Sequence, residues 1–231
     1  MRRVWLTSAA FLFLASLTSF AAEEAEKVEL KSLSEKASYA VGLDIGRSLA
    51  RYGTAIELPL LIRGIEDSLK RNKPLLSPEE AAKVTTEFFQ KMQRELAEKN
   101  QVAEEAFLAE NKKKEGVKTT ASGLQYMVVQ EGEGPTPKPT DRVRVNYRGT
   151  LLDGTEFDSS YSRGEPTTFE VRRVIPGWTE GLQLMKVGSK YRFFIPSRLA
   201  YREQGAGPSI GPNAMLLFEV ELLGIEPSPA P

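Results

Sequence analysis

The sequence has no glycine or proline from residue 79 to residue 115, and this gap constrains the fold more than any other feature. The letters SPEE at 77–80 precede the gap. Ser77 fits a helix N-cap, Pro78 suits the first turn, and Glu80 can reach back to the cap. We therefore predict a helix of about 38 residues that ends before Gly116, about 57 Å long at about 1.5 Å per residue.

The two halves of this predicted helix differ in composition. Val84, Phe88, Met92 and Leu96 recur every four residues in the first half, whereas Glu, Lys and Ala dominate the second half. Side chains four apart lie on one helix face. We predict that the early part is packed and that the later part is a solvated stalk, so that residues 77–116 connect two separate domains.

The first 21 residues have the pattern of a signal peptide. Two arginines follow the initial methionine, an apolar stretch covers 9–17, and the letters SFA at 19–21 form a small-x-small cleavage pattern. A membrane-spanning helix needs about 20 apolar residues, which this stretch does not reach. We predict cleavage after Ala21 and secretion across the inner membrane to the periplasm, with association with the outer membrane left open.

Residues 22–76 are predicted to form an all-α dimerisation domain. The letters SLSE at 32–35 have capping-box spacing, and a helix is expected from Tyr39 to Tyr52, ending at Gly53, with a second helix beginning near Pro59. About 50 residues of helical hairpin bury too little apolar surface to be stable alone. We therefore predict a homodimer.

Small residues recur every four positions along the first of these helices: Ser38, Gly42, Gly46 and Ala50. Two helix backbones can approach closely along such a stripe, within one chain or between two. Alternatively, the glycines merely weaken a monomeric helix by about 1 kcal/mol each. Both interpretations are open at this point.

From Gly123 the apolar period changes from helical to two. Alternation is clear in 142–151, 190–195 and 218–222, and the letters DG at 153–154 indicate a hairpin turn. Only 178–185 looks helical in this half. We predict an α+β protein whose C-terminal domain, 117–226, is an antiparallel sheet wrapped around one short helix, followed by a loose tail at 227–231.

Composition excludes several classes of function. The 31 basic and 31 acidic residues cancel, which gives no electrostatic case for a nucleic-acid partner. The chain has no histidine and no cysteine, so a hydrolase would lack its usual bases and thiols. We expect no metal and no cofactor.

Four segments carry a specific resemblance: NYRGTLLDGTEFDSS, VIPGWTEGLQLMKVG, IPSRLAY and GPNAMLLFEVELL, in this order. Together they make the region from about Lys118 to Glu226 resemble an FKBP-type peptidyl-prolyl cis/trans isomerase domain. The N-terminal half, with SYAVGLDIGRSL, resembles the dimerisation region of secreted bacterial members such as the macrophage infectivity potentiator group. The resemblance implies an isomerase of Xaa-Pro bonds that acts on unfolded or partly folded proline-containing polypeptides, with chaperone activity and binding of macrolide inhibitors of the rapamycin type.

The resemblance also implies a site. Trp178 would form the floor under a proline ring, Asp158 would lie by the rotating carbonyl, and the Tyr201 hydroxyl and the Ile175 N–H would hold substrate carbonyls. Tyr147 and Arg163 would be polar neighbours of Asp158. The implied catalytic residues are Asp158, Tyr147, Tyr201 and Trp178, and the implied substrate-binding residues are Phe157, Arg163, Val174, Ile175, Ile210 and Phe218.

Such a site needs no acid or base, because the barrier to prolyl rotation, about 20 kcal/mol, comes from amide resonance. Water stabilises the charge-separated planar form, so an apolar cleft favours the twisted amide. A non-catalytic dimeric chaperone that binds peptides on the same fold is the alternative. Two departures from the small cytosolic members, Thr167 in place of an aromatic wall and Arg202 in place of a glycine, bear on peptide preference and on macrolide affinity.

Overall fold

The computed structural model describes residues 29–50 and 56–226. The chain divides into two compact units, 1–42 and 43–231. The predicted signal peptide, the predicted helix end at Gly53 and the predicted tail at 227–231 lie outside the described residues. The domain boundaries drawn from the sequence stay a prediction. No helix in the described ranges is both long enough and apolar enough to cross a lipid bilayer.

Three helices precede the sheet: α1 is Leu33–Ala50, α2 is Leu58–Lys70 and α3 is Pro78–Asn111. α1 begins six residues before the predicted start at Tyr39, because a capping box already forms at Ser32. The Ser32 hydroxyl accepts from the Glu35 N–H at 3.2 Å, and the Glu35 carboxylate accepts from the Ser32 N–H at 2.8 Å. α1 buries none of its residues.

α3 begins as the sequence predicts. The Ser77 hydroxyl accepts from the Glu80 N–H at 3.2 Å, and the Glu80 carboxylate accepts from the Ser77 N–H at 2.9 Å. The helix has 34 residues and ends at Asn111 rather than running to the residue before Gly116. At about 1.5 Å per residue its length is about 51 Å.

The prediction of a solvated stalk is only partly correct, because most residues of the second half of α3 are exposed but one face is packed. Glu104 and Asn111 are buried. The Asn111 amide donates to the Gln125 Oε1 atom at 2.9 Å, and the rings of Phe107 and Phe194 lie 5.8 Å apart. The polar composition of this half hides the contact, because the polar side chains of Asn100, Glu104 and Asn111 bond to polar groups beyond residue 120 instead of water.

Seven antiparallel strands form one sheet in the order β1-β2-β6-β7-β3-β4, and β5 pairs with β3 beside this path. The strands are β1 Val117–Thr119, β2 Gln125–Gln130, β3 Arg142–Thr150, β4 Glu156–Ser159, β5 Thr167–Glu170, β6 Lys190–Ile195 and β7 Leu216–Glu226. The predicted alternation is confirmed on β6, where Tyr191, Phe193 and Ile195 are buried. The core lies on this face of the sheet.

A short helix, α5, packs closely on β6. It spans Pro176–Leu182, and a four-residue helix, α4, spans Ser160–Arg163. A Cβ atom on Gly181 would lie 2.7 Å from the Phe193 ring, and one on Gly177 would lie 2.5 Å from Ile195. These glycines let the α5 backbone approach the sheet and so fix the position of Trp178 between them. The predicted α+β fold with an antiparallel sheet around a short helix is confirmed.

Candidate active site

Trp178 lies at the centre of an aromatic cluster. Its ring centroid is 5.3 Å from Tyr147, 5.4 Å from Phe169 and 5.1 Å from Phe218, each in an edge-to-face arrangement. Phe157 extends the cluster, 5.5 Å from Phe218. Edge-to-face packing places the positive edge of one ring against the negative face of another and adds stability beyond burial. Four of the predicted site residues therefore meet in one apolar cluster.

The indole is more enclosed than an open floor would be. Only 4% of the Trp178 surface is exposed, and 8% of the Phe218 surface. The buried Nε1–H of Trp178 has no hydrogen-bond partner among the described residues. A donor left buried in this way is unusual in folded proteins.

Gly149 makes room for two rings of the cluster. A Cβ atom at this position would lie 2.7 Å from both the Phe157 ring and the Phe218 ring. Gly149 lies opposite Asp158 on β4 and opposite Phe218 on β7. Any larger residue on this part of β3 would displace the walls of the site.

A polar group of three side chains borders the aromatic cluster. The Tyr147 hydroxyl donates to the Asp158 carboxylate at 2.5 Å, and the Arg163 guanidinium forms an ion pair with the other oxygen of that carboxylate. Arg163 also donates to the Tyr147 hydroxyl at 2.8 Å and to the Thr167 hydroxyl at 3.0 Å. The structure thus joins the three predicted polar residues to one another.

The ionisation of this group follows from its surroundings. Burial and the hydrogen bond to Asp158 raise the pKa of Tyr147 to about 12. Burial alone would raise the pKa of Asp158, but hydrogen bonds from Tyr147 and Arg163 outweigh it and hold that pKa below its ordinary value. At neutral pH the site holds a protonated phenol and an ionised carboxylate.

Val174 and Ile175 lie directly before α5 and pack partly buried against the core. The Ile175 carbonyl accepts from the N–H groups of Trp178 and Thr179 at 2.9 and 3.0 Å and so begins the helix. The Ile175 N–H itself donates to no atom in the described part of the chain. The role that the resemblance implies for this N–H, holding a substrate carbonyl, stays a prediction.

Tyr201 and Ile210 lie on the connection between β6 and β7. Ile210 is 8% exposed and belongs to the same core cluster as Trp178, whereas 40% of Tyr201 is exposed. The Tyr201 hydroxyl forms no hydrogen bond within the described residues. Tyr201 lines a cavity of about 470 Å³ together with Ser197, Arg198, Arg202, Glu203, Gln204 and Asn213.

Phe169, which contacts both Trp178 and Tyr147, was not among the site residues predicted from the sequence. Strand alternation could have found it, because Phe169 lies two residues after Thr167 and so faces the same side of β5. Ser160 was not predicted either, and its fully buried hydroxyl accepts from the Tyr147 N–H at 2.9 Å and holds that part of β3. No sequence signal distinguishes Ser160 from its serine neighbours.

The arrangement offers binding and electrostatics rather than covalent chemistry. No group of three or more acidic side chains in residues 29–50 and 56–226 is placed to hold a metal ion. The site presents rings, an ionised carboxylate and donors without partners. These groups are of the kind that contact an apolar ring and bond to carbonyl groups, although only 4% of the Trp178 surface is exposed.

Two family comparisons agree with this geometry. Residues 134–223 match the FKBP-type peptidyl-prolyl cis-trans isomerase domain, and residues 34–128 match the domain amino terminal to FKBP-type peptidyl-prolyl isomerase. The first match contains every site residue discussed above. The second match covers the helical region from residue 34, β1 and the first four residues of β2.

Curated relatives match most of the chain. An FKBP-type isomerase named FkpA from Aeromonas hydrophila is 50% identical over 218 residues, 88% of this chain and 80% of its own length. The FKBP-type 22 kDa isomerase of Escherichia coli K12 is 47% identical over 198 residues, 84% of this chain and 96% of that protein. The outer membrane protein MIP of Legionella longbeachae is 40% identical over 228 residues, 96% of this chain and 97% of that protein.

Solved structures agree with the fold. The crystal structure of FkpA from Escherichia coli superposes with a TM-score of 0.62 and 38% identity, covering 87% of this chain and all of that one. An isomerase structure from Pseudomonas syringae pv. tomato superposes with a TM-score of 0.53 and 42% identity, covering 57% of this chain and 96% of that one. With half of the aligned positions identical to one such relative over most of both chains, this chain belongs to the FKBP-type peptidyl-prolyl cis-trans isomerase family.

Proposed function

We propose that this protein accelerates cis/trans rotation of Xaa-Pro bonds in folding polypeptides, with the cluster around Trp178 as its active site. The observation that carries the proposal is the contact of the Trp178 indole with three aromatic rings, bordered on one side by the Tyr147–Asp158–Arg163 group. The rings around Trp178 form an apolar surface, called here the seat, and the ionised Asp158 carboxylate lies at one edge of it. Such a seat withdraws the prolyl amide from the water that stabilises its planar form.

Each polar group has a role in this mechanism. The ionised Asp158 carboxylate faces the rotating amide and interacts differently with the twisted and planar forms, which is the requirement for lowering a barrier. Tyr147 and Arg163 keep Asp158 ionised and fixed. The Ile175 N–H and the Tyr201 hydroxyl, which have no partners in the described residues, bind the substrate carbonyls on either side.

Because only 4% of Trp178 is exposed, a prolyl ring needs the side chains at the rim to move apart. Ile210 is placed for this movement, since it belongs to the same buried cluster and lies on a connection outside the strands. We therefore expect binding to involve a change in the rotamer of the Ile210 side chain, while the backbone of its connection stays in place. Interface side chains commonly change rotamer on binding.

Isomerase kinetics on a Xaa-Pro peptide test the proposal. Trp178→Leu should lower kcat/KM by roughly tenfold or more, because the seat for the ring is lost, and Asp158→Ala should lower it by a similar factor. Leu184→Ala, a change to a partly exposed residue beyond α5, is the control and should leave turnover unchanged. Full activity in both site variants would overturn the assignment.

The second part of the proposal is a homodimer formed through the N-terminal helices. α2 exposes Leu58, Leu60, Ile62, Ile65 and Leu69 by 40 to 80%, and an apolar cavity of about 460 Å³ lies along it. Exposed apolar area on this scale favours association. Analytical ultracentrifugation should show a dimer at micromolar concentration, and Leu60→Glu with Leu69→Glu should shift it to a monomer.

The clients are unfolded or partly folded proline-containing polypeptides outside the inner membrane. A dimer carries two linked sites, so a client bound at one site has a raised effective concentration at the other. One relative is named an outer membrane protein. Mass spectrometry of the exported protein should find an N-terminus at Ala22 in the periplasmic fraction. An aggregation assay with a proline-free client measures the chaperone activity separately from isomerisation.

Macrolides of the rapamycin type should compete with peptide for the same seat. Thr167 accepts a hydrogen bond from Arg163 and contributes no ring, so the wall is less extensive on that side. We therefore expect macrolide affinity to rise in Thr167→Phe. Titration with rapamycin, followed by tryptophan fluorescence, measures it.

A further inference from the structure

The connection between β6 and β7 carries two residues of the proposed site, Tyr201 and Ile210, yet it contains no strand. Its 3-10 turns and the bridge between Ala206 and Ile210 join the connection to itself. The position of Tyr201 and Ile210 relative to the sheet depends on the packing of Ile210 in the core cluster and on contacts at the two ends of the connection. We refer to residues 197–212 as the anchored segment.

Both ends of the anchored segment bond to α3. The Ser197 N–H donates to the Glu104 carboxylate at 2.6 Å, and the Asn100 amide donates to the Pro212 carbonyl at 2.8 Å. Gly211 lies against Leu96, where a Cβ atom would approach the leucine side chain to 3.1 Å. The three α3 residues are spaced by four, so they form one face of the helix directed at the segment.

The buried Glu104 carboxylate depends on its hydrogen bond to the Ser197 N–H. The residue is only 8% exposed, and a buried carboxylate is costly unless it is hydrogen-bonded. A charge-assisted bond to a backbone N–H is stronger than a neutral one. This bond therefore fixes the start of the anchored segment, four residues before Tyr201.

α3 is itself held in register on the C-terminal domain. The Gln125 amide donates to the Leu108 carbonyl at 2.9 Å and accepts from the Asn111 amide, and both Gln125 and Asn111 are buried. The Phe107 ring packs on Phe194. Because these contacts prevent the helix from sliding, Asn100 and Glu104 present their polar atoms at set positions.

We propose that Asn100 and Glu104 are positioning residues of the active site, through which α3 holds Tyr201 and Ile210 in place for the substrate. The proposal rests on the proposed isomerase function. It makes the long helix a part of the catalytic apparatus and not only a connection between domains. Neither residue touches the substrate.

The test is the double variant Asn100→Ala/Glu104→Ala in the full chain. We expect KM for a Xaa-Pro peptide to rise by roughly tenfold, because the carbonyl contact through Tyr201 is misplaced, while kcat falls by no more than about twofold since the Trp178 seat remains. Amide hydrogen exchange should accelerate in the anchored segment and stay unchanged in β3. Glu104→Gln, which still accepts a hydrogen bond, should recover most of the loss found in Glu104→Ala.

Gln101→Ala/Glu105→Ala is the matched control, since these two exposed residues lie on the same helix and, within the described ranges, their side chains bond only to each other. It should leave KM and exchange at wild-type values. Wild-type KM in the anchor variant would overturn the proposal, as would unchanged exchange in 197–212. An inactive wild-type protein would instead contradict the proposed function. The roles of Asn100 and Glu104 would then be tested by peptide affinity from calorimetry and by amide hydrogen exchange.

Discussion

The Tyr147 hydroxyl donates a 2.5 Å hydrogen bond to the Asp158 carboxylate, and Arg163 bonds to both. The group lies between solvent on the Arg163 side and the aromatic cluster on the Tyr147 side, since Tyr147 is 3% exposed and about two fifths of the Arg163 and Asp158 side chains are exposed. The bond therefore connects the ionised edge of the site to its apolar interior. This contact controls both the charge and the position of Asp158.

The first prediction concerns pH. The pKa of Asp158 is lowered below 3.8 and that of Tyr147 is raised to about 12, and the chain has no histidine. Neither site group changes charge near neutrality, so kcat/KM should stay flat from about pH 5 to about pH 9. A pH profile with one peptide measures this. A bell-shaped profile centred near neutrality would contradict the assignment.

The same shifts predict how stability varies at the two extremes of pH. Asp158 has a lowered folded pKa, so its contribution is present above the ordinary value and is lost as pH falls through the folded pKa. Tyr147 has a raised folded pKa, so its contribution is present below the ordinary value near 10 and is lost as pH rises towards 12. The difference in unfolding free energy between wild type and Tyr147→Phe, measured in urea, should therefore narrow as pH rises from about 10 to about 12.

The second prediction is the effect of Tyr147→Phe at neutral pH. The ring is kept and the hydrogen bond to Asp158 is lost, so unfolding should cost about 1 to 2 kcal/mol less and kcat/KM should fall by about threefold to tenfold. Tyr161→Phe is the control. Its hydroxyl lies 3.5 Å from Glu221 at an exposed position, so both quantities should stay within error of wild type. Equal effects in the two variants would contradict the role of the 2.5 Å bond.

The sequence predicted the start of α3, the strand alternation and the order of the site segments, because each depends on neighbouring residues. Ser77 and Glu80, for example, interact three positions apart. It did not predict that Glu104 bonds to Ser197, 93 residues away. An acidic residue in a charged helix normally indicates solvent, and only the tertiary contact distinguishes this one.

The site, like the fold, was predicted from the sequence only in part. Family resemblance selected Trp178, Asp158 and Tyr147, and the structure brings them together. Phe169 was not predicted because it lies outside the four segments that carry the resemblance. The enclosure of Trp178 to 4% exposure depends on how several rings pack together, which no single residue pattern encodes.

The third prediction tests the space that Gly149 leaves for the rings. Gly149→Ala should lower the free energy of unfolding by about 1 to 3 kcal/mol, because its Cβ atom would overlap the Phe157 and Phe218 rings. It should also reduce kcat/KM, because both rings are walls of the site. Gly224→Ala, on the neighbouring strand β7 and with open space around it, should be neutral or stabilising. Thermal unfolding and isomerase kinetics on both variants give the comparison.

The fourth prediction concerns Arg202, which has a φ of 55° in the left-handed region that favours glycine. Its carbonyl accepts from the Asn213 N–H at 2.8 Å, so the conformation is held by the connection itself. Removing the side chain relieves about 1 kcal/mol of backbone strain, and Arg202→Gly should raise the melting temperature slightly. Arg144→Gly, on the extended strand β3, should lower it, since glycine there only adds freedom to the unfolded chain. If the melting temperature falls by the same amount in both variants, the left-handed conformation of Arg202 carries no backbone strain in the folded protein.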